Sequence, residues 1–321
     1  MMRIVVYEGY TVTDAKTLEW ERWFGSDQYV VWVDMMGPTH EDQRVMKELF
    51  RFHPLAIEQV LDHKQRPKVE EYAEHLFAIM NSVRMDSFDV YFQELDIFVK
   101  QNVIVTVHRL PEPNIEAIRH RVNETCALKG VTVGFLLYSI VQVVVDSYFP
   151  VLDKVEKNLE RLEDDIIERP TQDKLAQLFH LKRDVAEIYR ISAQQRDMFS
   201  LLMREESPYI NQTTLRYYLR DVYDHLLRIY DSANSIRDNV ATAVDLFFSA
   251  QSQQLNQYIN RLTLITIATG ILAVITGFFG MNFEVMWPLS MDNPAGVYFV
   301  VASIVIVIAV LWIILERQRR Q

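Results

Sequence analysis

Two uncharged runs lie near the end of the chain, at residues 262–279 and 297–315. Each reaches the ~18 apolar residues of a membrane-span candidate, and at ~1.5 Å per residue each covers much or all of a ~30 Å hydrocarbon core. Between them, residues 282–296 contain Glu284 and Asp292 and no Lys or Arg. A polar turn and an acidic loop at one membrane face read as a cation entrance. Upstream, no Gly or Pro occurs over residues 209–269. A helix over that stretch would be roughly 90 Å long and would run straight into the first span. Along it Leu215, Leu219, Val222, Leu226, Ile229, Ala233, Ile236, Val240, Ala243 and Phe247 alternate by four and three. That period predicts a stalk helix packed on partner helices.

The first 130 or so residues alternate differently. Residues 3–7, 29–33, 76–80, 92–99 and 103–107 are β-branched and aromatic runs that predict strands. Helical spacing appears at 40–52, 54–61 and 114–122, and Gly37-Pro38, Pro67, Pro111 and Pro113 separate the pieces. From about Thr132 the pattern becomes long helix. Leu152, Val155, Leu159, Leu162 and Ile166 mark one arm, Glu168-Arg169-Pro170-Thr171 ends it, and a second arm runs over 172–203. The first arm carries Asp153, Glu156, Glu160, Glu163, Asp164, Asp165 and Glu168. These acids fit a solvated face with local Lys and Arg partners, or a cation-collecting one.

The predicted organisation is therefore an α+β membrane protein. It comprises a cytoplasmic α/β domain (1–131), an acidic αα-hairpin (132–207), a stalk helix (208–261), a first span (262–280), an external loop (281–296), a second span (297–315) and a basic tail (316–321). Arg261 before the first span and Arg317, Arg319 and Arg320 after the second place both termini in the cytoplasm and the loop outside. The start MMRIVVYEGY lacks the pattern of a signal peptide, and the lone Cys126 agrees with a reducing compartment. A net charge of −10 argues against nucleic acid and fits attraction of cations.

Within the first span the seam changes character. Steps of three and four from Asn256 give Ile259, Thr263, Thr266, Gly270, Ala273, Gly277 and Gly280, whereas the opposite side holds Leu264, Ile265, Leu272, Ile275 and Phe279. A stripe of small residues lets helices pack closely. Repeated around a common axis, it would instead line a narrow path of hydroxyls and backbone. The acidic loop, the charged stalk and Asn256 at the cytoplasmic mouth favour the path. Two spans cannot enclose one, so a pore requires several copies. A ring of neutral amides suits Mg²⁺, which sheds its water reluctantly and can be held through its hydration shell.

Chemistry of other kinds finds little support. The nine glycines form no G-x-G-x-x-G or P-loop, and the eight histidines include no His-x-x-His or His-Glu-x-x-His spacing. An enzyme and an organic cofactor are not expected. A non-conducting membrane scaffold is the remaining alternative of another class, and it predicts no ion flux.

At Gly280-Met281-Asn282-Phe283-Glu284, placed after the span that ends the giant helix, the chain resembles the CorA family of divalent-cation (Mg²⁺/Co²⁺) transport proteins. The resemblance extends over residues 63–70 (HKQRPKVE), 168–170 (ERP) and 220–225 (RDVYDH). It implies a funnel-shaped homopentamer in the cell inner (plasma) membrane, with the long helix and first span around the pore. Gly280, Met281 and Asn282 match the GMN motif of the outer selectivity ring, Asn256 an inner asparagine ring, and Asp245 an acidic ring in the stalk. Leu262 and Gly277 match further pore positions, beside Thr263 of the stripe. Asp221 matches a regulatory cation ligand between subunits, with Asp86 (or Asp89) as its partner. Mg²⁺ would then be both cargo and regulator, with Co²⁺ and Ni²⁺ as further cargo. Members often continue Met-Pro-Glu after Phe-Glu, whereas this chain reads Met286-Trp287-Pro288-Leu289, so Glu284 and Asp292 are the loop's only acids. The proton-coupled zinc-transporting branch of the superfamily is the nearest competitor. Phe283-Glu284 looks more like the magnesium and cobalt branch.

Overall fold

The computed structural model of the chain describes residues 1–17, 19–62, 65–111, 113–204, 213–280, 298, 301–302 and 304–310. The N-terminal part builds a seven-stranded sheet from β1 (Met2–Glu8), β2 (Thr11–Ala15), β3 (Tyr29–Met36), β4 (Lys68–Glu71), β5 (Leu76–Asp86), β6 (Asp89–Lys100) and β7 (Val103–His108). Their order is β2-β1-β3-β7-β6-β5-β4. The central β3–β7 pair is parallel, and every other pair is antiparallel. All six residues of β7 are buried, as expected where helices cover both faces of a sheet. One face is closed by α1 (Trp20–Trp23), α2 (His40–Arg44), a π-helical turn (Val45–Leu49) and α3 (Pro54–Leu61), over a core that includes Val33, Phe50, Phe77, Phe98 and Val105.

The single helix expected over 40–52 is broken. It starts on a capping box in which Thr39 Oγ1 accepts from the Asp42 amide and Asp42 Oδ2 accepts from the Thr39 amide at 2.8 Å. It then widens into the π turn and stops at Arg51, whose φ is +53°. A two-residue turn at Ser87 (φ +55°) and Phe88 joins β5 to β6 and sets Asp86 opposite Asp89.

The helical part follows as α4 (Pro113–Lys129), α5 (Val133–Asp146), α6 (Tyr148–Glu168), α7 (Gln172–Arg204) and α8 (Thr213–Phe279). α6 and α7 are the arms of the αα-hairpin. Pro150 is tolerated because it sits in the first turn of α6, where an amide has no helical acceptor. α5 is N-capped by Thr132, whose Oγ1 accepts from the Phe135 amide at 3.1 Å. It is apolar enough to belong to a span candidate, but that candidate is 61% buried, so α5 is a core helix.

Gln195 of α7 finishes the sheet edge. β4 pairs only with Leu76–Ile79 of β5, so Asn81 lies beyond its reach. Gln195 Oε1 accepts from the Asn81 amide at 3.1 Å, and the Tyr148 hydroxyl donates to the Asn81 carbonyl at 2.8 Å.

α8 is one helix of 67 residues, in which the stalk continues into the first span. The heptad positions from Leu215 to Phe247 are at most 3% exposed within a single chain. A leucine methyl of Leu215 lies 3.4 Å from where a Cβ on Gly134 of α5 would stand, and Tyr138 of α5 stacks on Tyr218. The seam that sequence periodicity assigns to partner helices is thus filled by the chain's own helices. Contacts gather Met1–Asp165 with Thr171–Val244 into one compact unit, and Ile166–Pro170 with Asp245–Gln321 into a second. In the second apolar run, residues 301–302 and 304–310 are helical.

Candidate ion-conduction and regulatory sites

In the lower part of α8 one narrow strip is covered, and Ile265 of the expected bulky side is exposed. Leu264, Leu272 and Ile275 are partly covered and Ala268 is buried, which marks these four positions as the strip that packs within the chain. The small side, with Thr263, Thr266, Gly270, Ala273 and Gly277, is exposed throughout. A Cβ built on Gly270 or Gly277 meets no atom within 4 Å among the described residues. The stripe is therefore open in the protomer. Thr266 Oγ1 donates to the Leu262 carbonyl at 2.9 Å, which satisfies its proton and turns the oxygen lone pairs outward. Leu262 is itself exposed, one position from the stripe. Gly280 ends the helix, its amide donating to the Thr276 carbonyl at 2.9 Å.

Higher on the same helix Asp245 and Asn256 are both exposed. Eleven positions separate them, so they lie within about 20° of each other around an ideal helix. Met281, Asn282, Glu284 and Asp292 lie outside the described residues.

Asp221 stands elsewhere, in a polar cluster. Tyr138 of α5 donates to Asp221 Oδ2 at 3.1 Å, and His225 Nε2 lies 4.0 Å from Asp221 Oδ1. His225 Nδ1 meets Asp146 Oδ1 at 2.8 Å, which places its proton on that nitrogen. Burial and the Asp221 carboxylate together hold the Tyr138 phenol above its usual range. Arg228, a sequence neighbour of Asp221, instead sits 5.4 Å over the Phe149 ring. Sequence spacing offered no route to Tyr138 or Asp146, since both come from other helices. His225 was within reach, one turn after Asp221 in the quoted RDVYDH motif.

The two candidate partners differ in their surroundings. Asp89 Oδ1 lies 3.3 Å from His180 Nε2, and His180 Nδ1 lies 3.1 Å from Asp184 of the same helix. Among the described residues Asp86 has no ion pair, which leaves it the freer carboxylate at the β5–β6 turn. No group of three or more His, Cys, Asp or Glu able to hold a metal is gathered within the described residues of one chain. On α6 the acids from Asp153 to Glu168 are mostly exposed, and among the described residues none pairs with a Lys or Arg. Burial, then the neighbouring Asp164 and Glu160, push the Glu163 carboxyl above its ordinary range.

The family model described as CorA-like Mg²⁺ transporter protein matches residues 27–318. The chain belongs to the CorA family. It is 29% identical over 294 residues to the cobalt/magnesium transport protein CorA of Thermotoga maritima, covering 90% of this chain and 82% of that one. The cobalt/magnesium transport protein CorA of Methanocaldococcus jannaschii is 27% identical over 296 residues, 91% of each chain. The complete structure of the CorA magnesium transporter from M. jannaschii superposes with a TM-score of 0.77 at 24% identity, over 98% of this chain and 97% of that one, and shows the same fold. Within the CorA family frame, the GMN motif begins at Gly280, the residue that follows α8.

Proposed function

We propose that the chain is one subunit of a homopentameric channel that carries Mg²⁺, and also Co²⁺ and Ni²⁺, into the cell down the membrane potential. It performs no covalent catalysis. The observation that carries this reading is the open stripe of small and hydroxylated residues on α8, continuous with Asn256 and Asp245 and ending at Gly280. Nothing described in the protomer covers it. Five such faces around an axis make a path whose walls are hydroxyl oxygens and backbone, with amide and carboxylate rings above. Amide rings at Asn282 and Asn256 hold a hydrated divalent ion through its water shell, so the ion does not bear the cost of dehydration. Glu284 and Asp292 outside and the unpaired acids of α6 inside raise the local cation concentration. Membership of the CorA family and likeness to named cobalt/magnesium transport proteins support divalent-cation transport over a scaffold role.

The energy source is electrical. Moving one charge through 100 mV is worth ~2.3 kcal/mol, so a divalent ion gains ~4.6 kcal/mol. At ~1.36 kcal/mol per decade this sustains a concentration ratio of roughly 10³. Neither uncharged run contains an Asp, Glu, Lys, Arg or His to relay protons. Reconstitution in liposomes tests the reading: imposed voltage should drive Mg²⁺ uptake without a pH gradient. Uptake that follows pH and ignores voltage would replace it with the zinc-transporter reading, and no flux at all would leave the scaffold.

The same reading assigns regulation to intracellular Mg²⁺ bridging Asp221 of one subunit and Asp86 of the next. Two carboxylates brought together repel unless a cation sits between them. Depletion of the ion would let the subunits part and the path open.

A further inference from the structure

Away from the membrane helix, a cavity of about 680 Å³ opens between strands β5–β7, the end of α3 and the α7 helix. Its lining includes Asp96, Gln194, Tyr91, Phe92, Arg66 and Arg109. Asp96 is only 4% exposed, in the middle of β6, and its Oδ1 has no hydrogen-bond partner among the described residues. Gln194 Oε1, on α7, is likewise buried and unpaired. A buried acceptor without a donor is costly to the fold, and two of them facing one cavity call for a common explanation. Burial, reinforced by the Glu94 charge, holds the Asp96 carboxyl well above its usual range, and a hydrogen-bond donor entering the cavity would lower it again. The other lining groups differ in kind. Arg66 and Arg109 are exposed at the rim, and Arg109 uses one Nη2 bond on the Leu61 carbonyl. The wall between is largely apolar and aromatic. The volume falls in the range of ~300–1,000 Å³ that takes a drug-sized molecule.

We propose that this cavity binds a small organic anion bearing an amino group on a flat ring, the chemistry of an aminopurine nucleotide. The amine donates to Asp96 and Gln194, the ring lies along the apolar wall, and the phosphate meets Arg66 and Arg109. A bare inorganic anion would leave the two acceptors unpaired. A simple ammonium ion would face the two guanidinium groups and leave the apolar wall bare. The site is separate from the conduction path and does not depend on the transport reading.

The test uses the full-length protein in detergent at fixed free Mg²⁺, with calorimetric titration of ADP. Inosine diphosphate, which has a carbonyl in place of the amine, and inorganic phosphate serve as comparison probes. ADP should bind at least about tenfold more tightly than either. Asp96→Leu should weaken ADP by a similar factor without lowering the thermal midpoint, because it removes an unpaired carboxyl. Gln194→Leu provides the same reading if the first variant does not fold. Equal affinity for ADP and inosine diphosphate, unchanged ADP affinity in both variants, or no ADP binding would overturn the proposal.

Discussion

Gly277→Leu separates a conducting face from a packing face. In the protomer nothing described lies within 4 Å of a Cβ at this position, so the new side chain meets no obstacle in its own chain. Replacing an interior helical glycine by leucine gains roughly 0.5–1 kcal/mol of helix propensity. The isolated subunit is therefore unharmed, and any loss must come from what the assembly brings to that face. If the stripe packs against a neighbour, overpacking costs about 1–3 kcal/mol at each contact, which exceeds the propensity gain and dissociates the oligomer. If it lines a path, five isobutyl groups converge on the axis and flux falls while assembly persists. Two measurements on one preparation distinguish these outcomes: voltage-driven Mg²⁺ uptake in liposomes, and oligomer mass in detergent. Ile271→Leu, about 120° around the helix, is the control and should change neither. Normal uptake through an intact Gly277→Leu assembly would refute the assignment of this face to the ion.

Asn282→Ala removes a donor and an acceptor from every subunit and should abolish Mg²⁺ uptake with assembly intact, whereas Asn256→Ala at the other end of the proposed path should be milder; liposome flux decides both. Asp221→Lys places an ammonium where the regulatory ion would sit, beside Tyr138, and should flatten the Mg²⁺ dependence of protease protection on the stalk; protection that still rises with Mg²⁺ rules the site out. His75 is 1% exposed with both ring nitrogens unpaired among the described residues, and burial, then the Lys100 charge, lower its pKa to about 4 from 6.5. The unfolded chain therefore takes up a proton first as pH falls below 6.5, and stability should drop by on the order of 3 kcal/mol between pH 6.5 and 4. His75→Phe, between Phe52, Tyr72 and Phe98, should flatten that decline in thermal melts, and an unchanged slope would assign it to other groups.

Where burial wrote itself into the sequence, the fold was legible there. β3, β5, β6 and β7 carry apolar runs because both their faces are covered, and α7 begins at the residue its spacing indicated. β2 and β4 left no such mark. As edge strands they read Thr11-Val12-Thr13-Asp14 and Lys68-Val69-Glu70-Glu71, polar sequences that guard an edge and hide the strand from a search for hydrophobic runs. The site divides the same way. The family resemblance named Asp245 and Asn256, which helix geometry sets on one face, but the company of Asp221 comes from α5, and no local pattern encodes a contact between distant helices. The unpaired carboxyl of Asp96 was equally invisible, since an acid in a strand normally signals the solvent side.

The 4-3 seam holds the strongest argument for assembly, although not in the way its periodicity suggested. From Leu215 to Phe247 the seam is satisfied within one chain and asks for no partner. Beyond it the apolar positions change to Phe248, Leu255, Tyr258, Ile259 and Leu262, each at least half exposed. Four of these precede Arg261 and the uncharged run that begins at Leu262. Burying a side chain of this size is worth about 1.5–3 kcal/mol, so a patch of four supplies a driving force that a lone chain leaves unused. The same stretch of helix carries Asp245 and Asn256. Association of identical chains through these residues would therefore repeat each polar side chain around one axis, and would turn a single amide or carboxylate, too weak alone to choose an ion, into a ring that can.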